Sequence, residues 1–141
     1  MTFIDGGYTL RCLHTRLLNS YDLYKGLSEQ TDRADTSFFL DQYCAIRTLH
    51  IAELDRLMLS RALEPQADGS WLPCTKDTAT TIRPTMPFRM MKTDVNRLES
   101  GIIDLYGKAI ETIPSDRAAI ALLMRHKDDL QAQMDRTDPP R

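Results

Sequence analysis

A chain of 141 residues, 42% hydrophobic and 27% charged, is long enough to build one core and too apolar for wholesale disorder. Its formal net charge of −2 argues against a global basic field for nucleic acid, and the one dense basic cluster, Arg83 to Lys92, is broken by prolines and methionines. No apolar run approaches the roughly 18 residues of a membrane helix, and the N-terminus lacks the basic start and unbroken apolar core of a signal peptide. The expectation is therefore a soluble cytoplasmic protein with no membrane and no nucleic acid among its partners.

Asp5-Gly6-Gly7 reads as a turn or a frayed start. A first helix follows over about 8–30, where Leu10, Leu13, Leu17, Tyr21, Tyr24 and Leu27 recur at helical spacing. Gly26 weakens its last turns. The polar break TDRADTS comes next, and Asp35, Thr36 or Ser37 can each cap the following helix by accepting from its free N–H groups. That second helix, about 37–63, is the long one, roughly 40 Å from end to end. Its stripe is Phe39, Tyr43, Ile46, His50, Glu53 and Leu57, side chains that share one face.

Residues 64–92 are irregular, with Pro65, Pro73, Pro84 and Pro87, a turn at Ala67-Asp68-Gly69-Ser70 and the only tryptophan. The strand-like scraps Ser70-Trp71-Leu72 and Thr80-Thr81-Ile82 are too short to alternate into a sheet. A connection this long is uncommon in a small domain and points to a functional segment or an extended crossover. A third helix starts at about Arg89 or Thr93 and runs to 112, on the stripe Val95, Leu98, Ile102, Leu105, Ala109 and Ile113. Ile113-Pro114-Ser115 breaks it, and Ser115 or Asp116 caps a fourth helix over 115–136. Ala119, Leu123, His126 and Leu130 form its stripe, closed by Gln133 or Met134, and 137–141 reads as a disordered tail.

Two of these stripes carry ionisable residues at the same spacing. His50 and Glu53 lie i, i+3 on the second helix, and His126 and Asp129 lie i, i+3 on the fourth. Such pairs point into one interior volume and can grip a common ion. This helix order and crossover, with the stretch Arg47-Thr48-Leu49-His50-Ile51-Ala52-Glu53-Leu54, resemble the ferritin-like superfamily over most of residues 8–136. The resemblance implies an all-α, up-down four-helix bundle of two helical hairpins joined by a long crossover, as a single domain over 1–141. In that family a di-iron site takes a carboxylate from each odd helix, and a carboxylate and a histidine from each even one. Carried onto this chain, the metal ligands are His50, Glu53, His126 and Asp129, supplemented by Asp22 and by Glu99 or Asp104, with iron or manganese as the metal. Both motifs here run histidine first, whereas the family's runs glutamate first, so the resemblance implies the fold with more force than it implies ferroxidase chemistry.

A plainer reading of His50 and Glu53 is an interior polar network, because a buried histidine needs partners for both ring nitrogens and a buried glutamate needs a donor. Arg47 can then pair with a carboxylate across the core or lie on the helix flank. The run Arg125-His126-Lys127-Asp128-Asp129 is mostly charged, which usually marks a solvated face. Cys12 and Cys44 read as small buried hydrophobes, and Cys74 sits in a loop; the three form no metal or redox pattern. Tyr21, Tyr24, Tyr43 and Tyr106 read as core. Met86, Phe88, Met90 and Met91 either fold back over the bundle or form an adaptable partner surface.

No nucleophile elbow and no phosphate-binding glycine loop is present, so no catalytic residue is assigned. A small bundle of long helices buries more surface by pairing, and a homodimer is expected. The expected function is that of a non-catalytic or partner-binding helical protein, with a stress-related role coming only by analogy to the superfamily. The alternative is a metal-binding oxidoreductase or iron-handling protein that uses the bundle core.

Overall fold

The computed structural model describes residues 6–63, 82–113 and 115–137, and among these every regular element is helical. The elements are α1 (Gly6–Gln30), α2 (Ala34–Ser60), α3 (Phe88–Glu111) and α4 (Arg117–Thr137). The expected turn at 67–70, both strand-like scraps save Ile82, Cys74 and the tail beyond 137 lie outside the described residues.

The ends of the helices show which local signals the chain uses. Gly6 and Gly7 belong to the first turn of α1 instead of a turn before it. α2 starts three residues earlier than its capping signals suggest: Arg33 occupies the N-cap with no side-chain cap, and Asp35, Thr36 and Ser37 all lie inside the first turn. Asp35 still helps there, since its Oδ1 accepts from the Thr36 N–H at 2.7 Å and its charge faces the positive end of the helix dipole.

α2 ends at Ser60, short of the expected 63, in a reversal that satisfies its last carbonyls. Ala62 donates to Leu59 and Leu63 to Met58, at 3.0 and 2.8 Å. That reversal needs a left-handed residue, and Ala62 takes it at φ 58° although glycine would fit more easily. Pro87, which has no N–H to lose, sits at the N-cap of α3. Asp116 is the cap of α4, accepting the Ala119 N–H at 3.1 Å. The same carboxylate takes two bonds from Arg61 (2.8 and 2.6 Å), tying the end of α2 to the start of α4.

Packing follows the expected stripes, with a wider buried arc on α2 because it touches all three other helices. Side-chain pairs set the registers. His14 with Asp55, and Ser28 with Ser37, run α1 against α2. Gln42 with Gln133 and Arg61 with Asp116 run α2 against α4. The rings of Phe39 and Phe88 meet edge to face at 5.3 Å near the N-terminal ends of α2 and α3, and Arg47 meets Glu99 further along both, so these two helices run the same way.

Two apolar clusters result. One holds Leu13, Leu17, Leu54, Met58, Ile102 and Leu123, and the other holds Phe39, Leu40, Tyr43, Met91 and Val95. Met91 is buried and Phe88 half-buried against the second cluster, while Met90 is exposed, so the methionine-rich start of α3 mostly folds inward. Cys44 is a free buried thiol as expected, its pKa raised by burial and then by Asp41. Cys12 is buried on α1, as expected.

Candidate functional site

Polar side chains occupy the level between the two apolar clusters. Along α2, Arg47 and His50 fall between Cys44 of one cluster and Leu54 of the other, and along α3, Glu99 falls between Val95 and Ile102. Each step of three residues turns a helix about 60° short of a full circle. Arg47, His50 and Glu53 therefore fan around α2, and their burial grades accordingly. Arg47 and His50 are fully buried, and the Glu53 side chain is 19% exposed on the α4 side.

Arg47 takes the cross-core alternative. Its Nη2 donates to Glu99 Oε2, and neither side chain has any solvent exposure. The Tyr24 hydroxyl donates to the same oxygen at 2.6 Å, so α1, α2 and α3 converge on one carboxylate. The Arg47 guanidinium also lies over the Tyr24 ring at 5.9 Å. Burial would push the arginine's pKa down, but Glu99 outweighs it and the net shift is upward. Burial and then Glu99 push the Tyr24 pKa well up, so this hydroxyl stays a donor. The pairing is incomplete: Arg47 Nε and Nη1 and Glu99 Oε1 have no hydrogen-bond partner.

The four sequence-predicted ligands do come together, but they pair across the helices. His50 Nε2 donates to Asp129 at 3.0 Å, and His126 Nε2 donates to Glu53 at 2.8 Å. The reason is geometric. α2 and α4 run in opposite directions, so the first residue of each His-x-x-acid motif lies opposite the last residue of the other. The two imidazoles stack, with centroids 3.8 Å apart and planes 12° from parallel. Tyr106 donates to His126 Nδ1 at 2.8 Å, and Arg125 adds a second donor to Glu53 at 2.6 Å.

These partners decide the protonation states. Each Nε2 must carry a proton to reach a carboxylate, and Nδ1 of His126 must be bare to accept from Tyr106. The His126 ring is thus neutral; His50 Nδ1 has no hydrogen-bond partner, and it is burial that favours the neutral form of that ring. Burial and then the neighbouring His50 lower the His126 pKa to about 4, and burial likewise lowers that of His50. Burial alone would raise the Glu53 pKa, but the bonds from His126 and Arg125 prevail and bring it below its usual value. Burial raises the Tyr106 pKa far out of range, so it too remains a donor.

His126 has no solvent exposure, which corrects the reading of its charged surroundings as a solvated face; Arg125, Asp128 and part of Asp129 face solvent while the histidine between them turns inward. Asp22 and Asp104 are exposed and contribute nothing to this level, whereas Glu99 enters it as the partner of Arg47. Among the described residues no group of three His, Cys, Asp or Glu side chains is arranged to hold a metal ion. Both Nε2 atoms point at carboxylates and His126 Nδ1 at Tyr106, while His50 Nδ1 is buried without a hydrogen-bond partner.

Sequence reasoning passed over the polar role of Tyr24 and Tyr106, and over His14, which is buried on α1 and bonded to Asp55 at 2.5 Å. The signal for His14 was present, since it follows Leu10 by four residues and precedes Leu17 by three. Tyr106 stands in the same relation to Ile102 and Ala109. Neither a family model, nor a curated protein, nor a solved structure matches this chain.

Proposed function

We propose that the chain is a ferritin-like bundle that performs no redox chemistry of its own and works through its helix faces as a homodimer. The register supports the architecture: α1 against α2, α3 beside α2 in the same direction, and α4 against α2 are what two hairpins joined by a long crossover would give. One observation carries the non-catalytic reading. Both Nε2 atoms are committed to carboxylates, His50 to Asp129 and His126 to Glu53, and Tyr106 and Arg125 add bonds to His126 and Glu53, while His50 Nδ1 is buried without a hydrogen-bond partner. A network of this kind locks α2 to α4 and specifies their register, a use of interior polar groups distinct from catalysis. A stress-related role extends the superfamily analogy and rests on nothing else.

The competing metal reading draws its support from two neutral imidazoles lying beside two carboxylates, which is ligand chemistry in kind. Metal analysis of protein purified from iron- and manganese-supplemented cells separates the two. We expect no stoichiometric metal, together with a His50→Ala variant that loses thermal stability. Near-stoichiometric metal that disappears in His50→Ala overturns the non-catalytic reading. As for surroundings, no described helix is long and apolar enough to cross a membrane.

A further inference from the structure

The side of α2 that points away from the core should be its polar side, and it is not. Phe38, Leu49 and Leu59 are 66, 52 and 66% exposed, three of the five large hydrophobic side chains so exposed among the described residues. Ala45 and Ala52 lie exposed between them, and Asp41, Thr48 and Arg56 are the polar members of the same face. At about 100° per residue these eight positions fall within roughly 60° of one direction, opposite Arg47 and Leu54. The stripe is about 32 Å long. An amphipathic surface helix presents charge on this side, so a predominantly apolar outer face is one that a partner covers.

The order of residues says which partner. About a midpoint between Thr48 and Leu49 the stripe is self-complementary at three of its four mirrored pairs, the central one being Thr48 with Leu49. Phe38 mirrors Leu59, Ala45 mirrors Ala52, and Asp41 mirrors Arg56 with opposite charge. A two-fold contact requires that if residue i meets residue j, then j meets i. This stripe meets that condition: bulky residues close both ends, alanines near the middle let two helices approach to about 8 Å, and unlike charges face each other twice. Packing in the parallel sense would set Asp41 against Asp41 and Arg56 against Arg56, so the charges select the antiparallel sense. Asp41 accepts from Ser28 through Oδ1 at 2.5 Å, which leaves Oδ2 for the partner's Arg56.

We propose that the outer face of α2 is the interface with a second copy of this chain, packed antiparallel about a two-fold axis beside Thr48 and Leu49. The proposal rests on the homodimer reading above and names the surface that makes the dimer.

Sedimentation velocity over a micromolar concentration series tests it, with circular dichroism to verify helical content. Wild type should be a dimer. Leu49→Glu places two carboxylates at the axis and should give a monomer of unchanged helicity. Arg56→Glu, at a fully surface position, sets like charges together and should weaken the dimer by about tenfold or more. Adding Asp41→Arg to Arg56→Glu should restore it. A wild type that stays monomeric across the series overturns the homodimer reading and the interface together. A wild-type dimer indifferent to both Leu49→Glu and Arg56→Glu overturns the interface alone. Failure of the double swap to restore a dimer that Arg56→Glu has broken overturns the antiparallel register.

Discussion

The two polar groups of the bundle sit at nearly the same level and solve opposite problems. Arg47 and Glu99 keep full charges where there is no solvent exposure, and they do so by pairing with each other, with the neutral Tyr24 hydroxyl as a second donor to the carboxylate. His50 and His126 are equally buried, but they stay neutral and hand the charge outward to Asp129 and Glu53, whose side chains are 42 and 19% exposed. A charge in a dry interior survives only with a partner of opposite sign beside it. A group that can shed its proton takes the cheaper course and titrates away from charge. Arginine cannot do that at any ordinary pH, and histidine can.

The largest effect should come from opening the first group. Glu99→Gln leaves the Arg47 guanidinium buried and unpaired and should cost about 3–5 kcal/mol in urea unfolding. Replacing both, as Arg47→Met with Glu99→Leu, should recover most of that loss, because the apolar pair has no charge to desolvate. If the double variant is no better than Glu99→Gln alone, the cost lies in packing and the contrast with the histidines fails.

Acid should act on the second group. The folded pKa of His126 lies near 4 against an ordinary 6.5. The unfolded chain therefore takes up protons first as pH falls, and stability is complete above about 6.5 and lost progressively down to about 4. The loss for His126 is of order 3 kcal/mol. His50, lowered in the same direction, steepens the fall, and Glu53 extends it below its usual carboxylate range. Unfolding free energy measured from pH 7 to 4 should show this slope, and His126→Gln should flatten it. A flat wild-type profile would mean that the imidazoles are not held neutral.

Two tyrosines sharpen the comparison at smaller scale. Tyr24→Phe removes a bond to an ionised, fully buried carboxylate and should cost about 2 kcal/mol. Tyr106→Phe removes a bond to a neutral imidazole and should cost about 1 kcal/mol. Equal losses in thermal or chemical unfolding would contradict the assignment of charge to one group and neutrality to the other.

Much of the fold was readable beforehand. Apolar periodicity located all four helices, and of the two capping candidates for α4, Ser115 and Asp116, it is Asp116 that accepts a helix N–H. The early start of α2 is not legible from its capping residues, because Asp35 and Thr36 serve inside the first turn. In the site, His50 and Glu53 were found through the same periodicity. The burial of His126 was misjudged because a charged run says nothing about the one residue in it that faces inward. The sequence does not decide between the two placements of Arg47, because the width of a buried arc depends on how many neighbours a helix has, and α2 has three.

The amino-acid sequence by itself determined the helices and the i, i+3 spacing that points each histidine and its acid into one sector. It also determined the mirrored outer stripe of α2, since spacing along a single helix fixes direction around its axis. Only the tertiary structure decided which acid each histidine meets and that Arg47 crosses to Glu99. Those outcomes depend on the direction and register of one helix against another, and no local spacing contains that information.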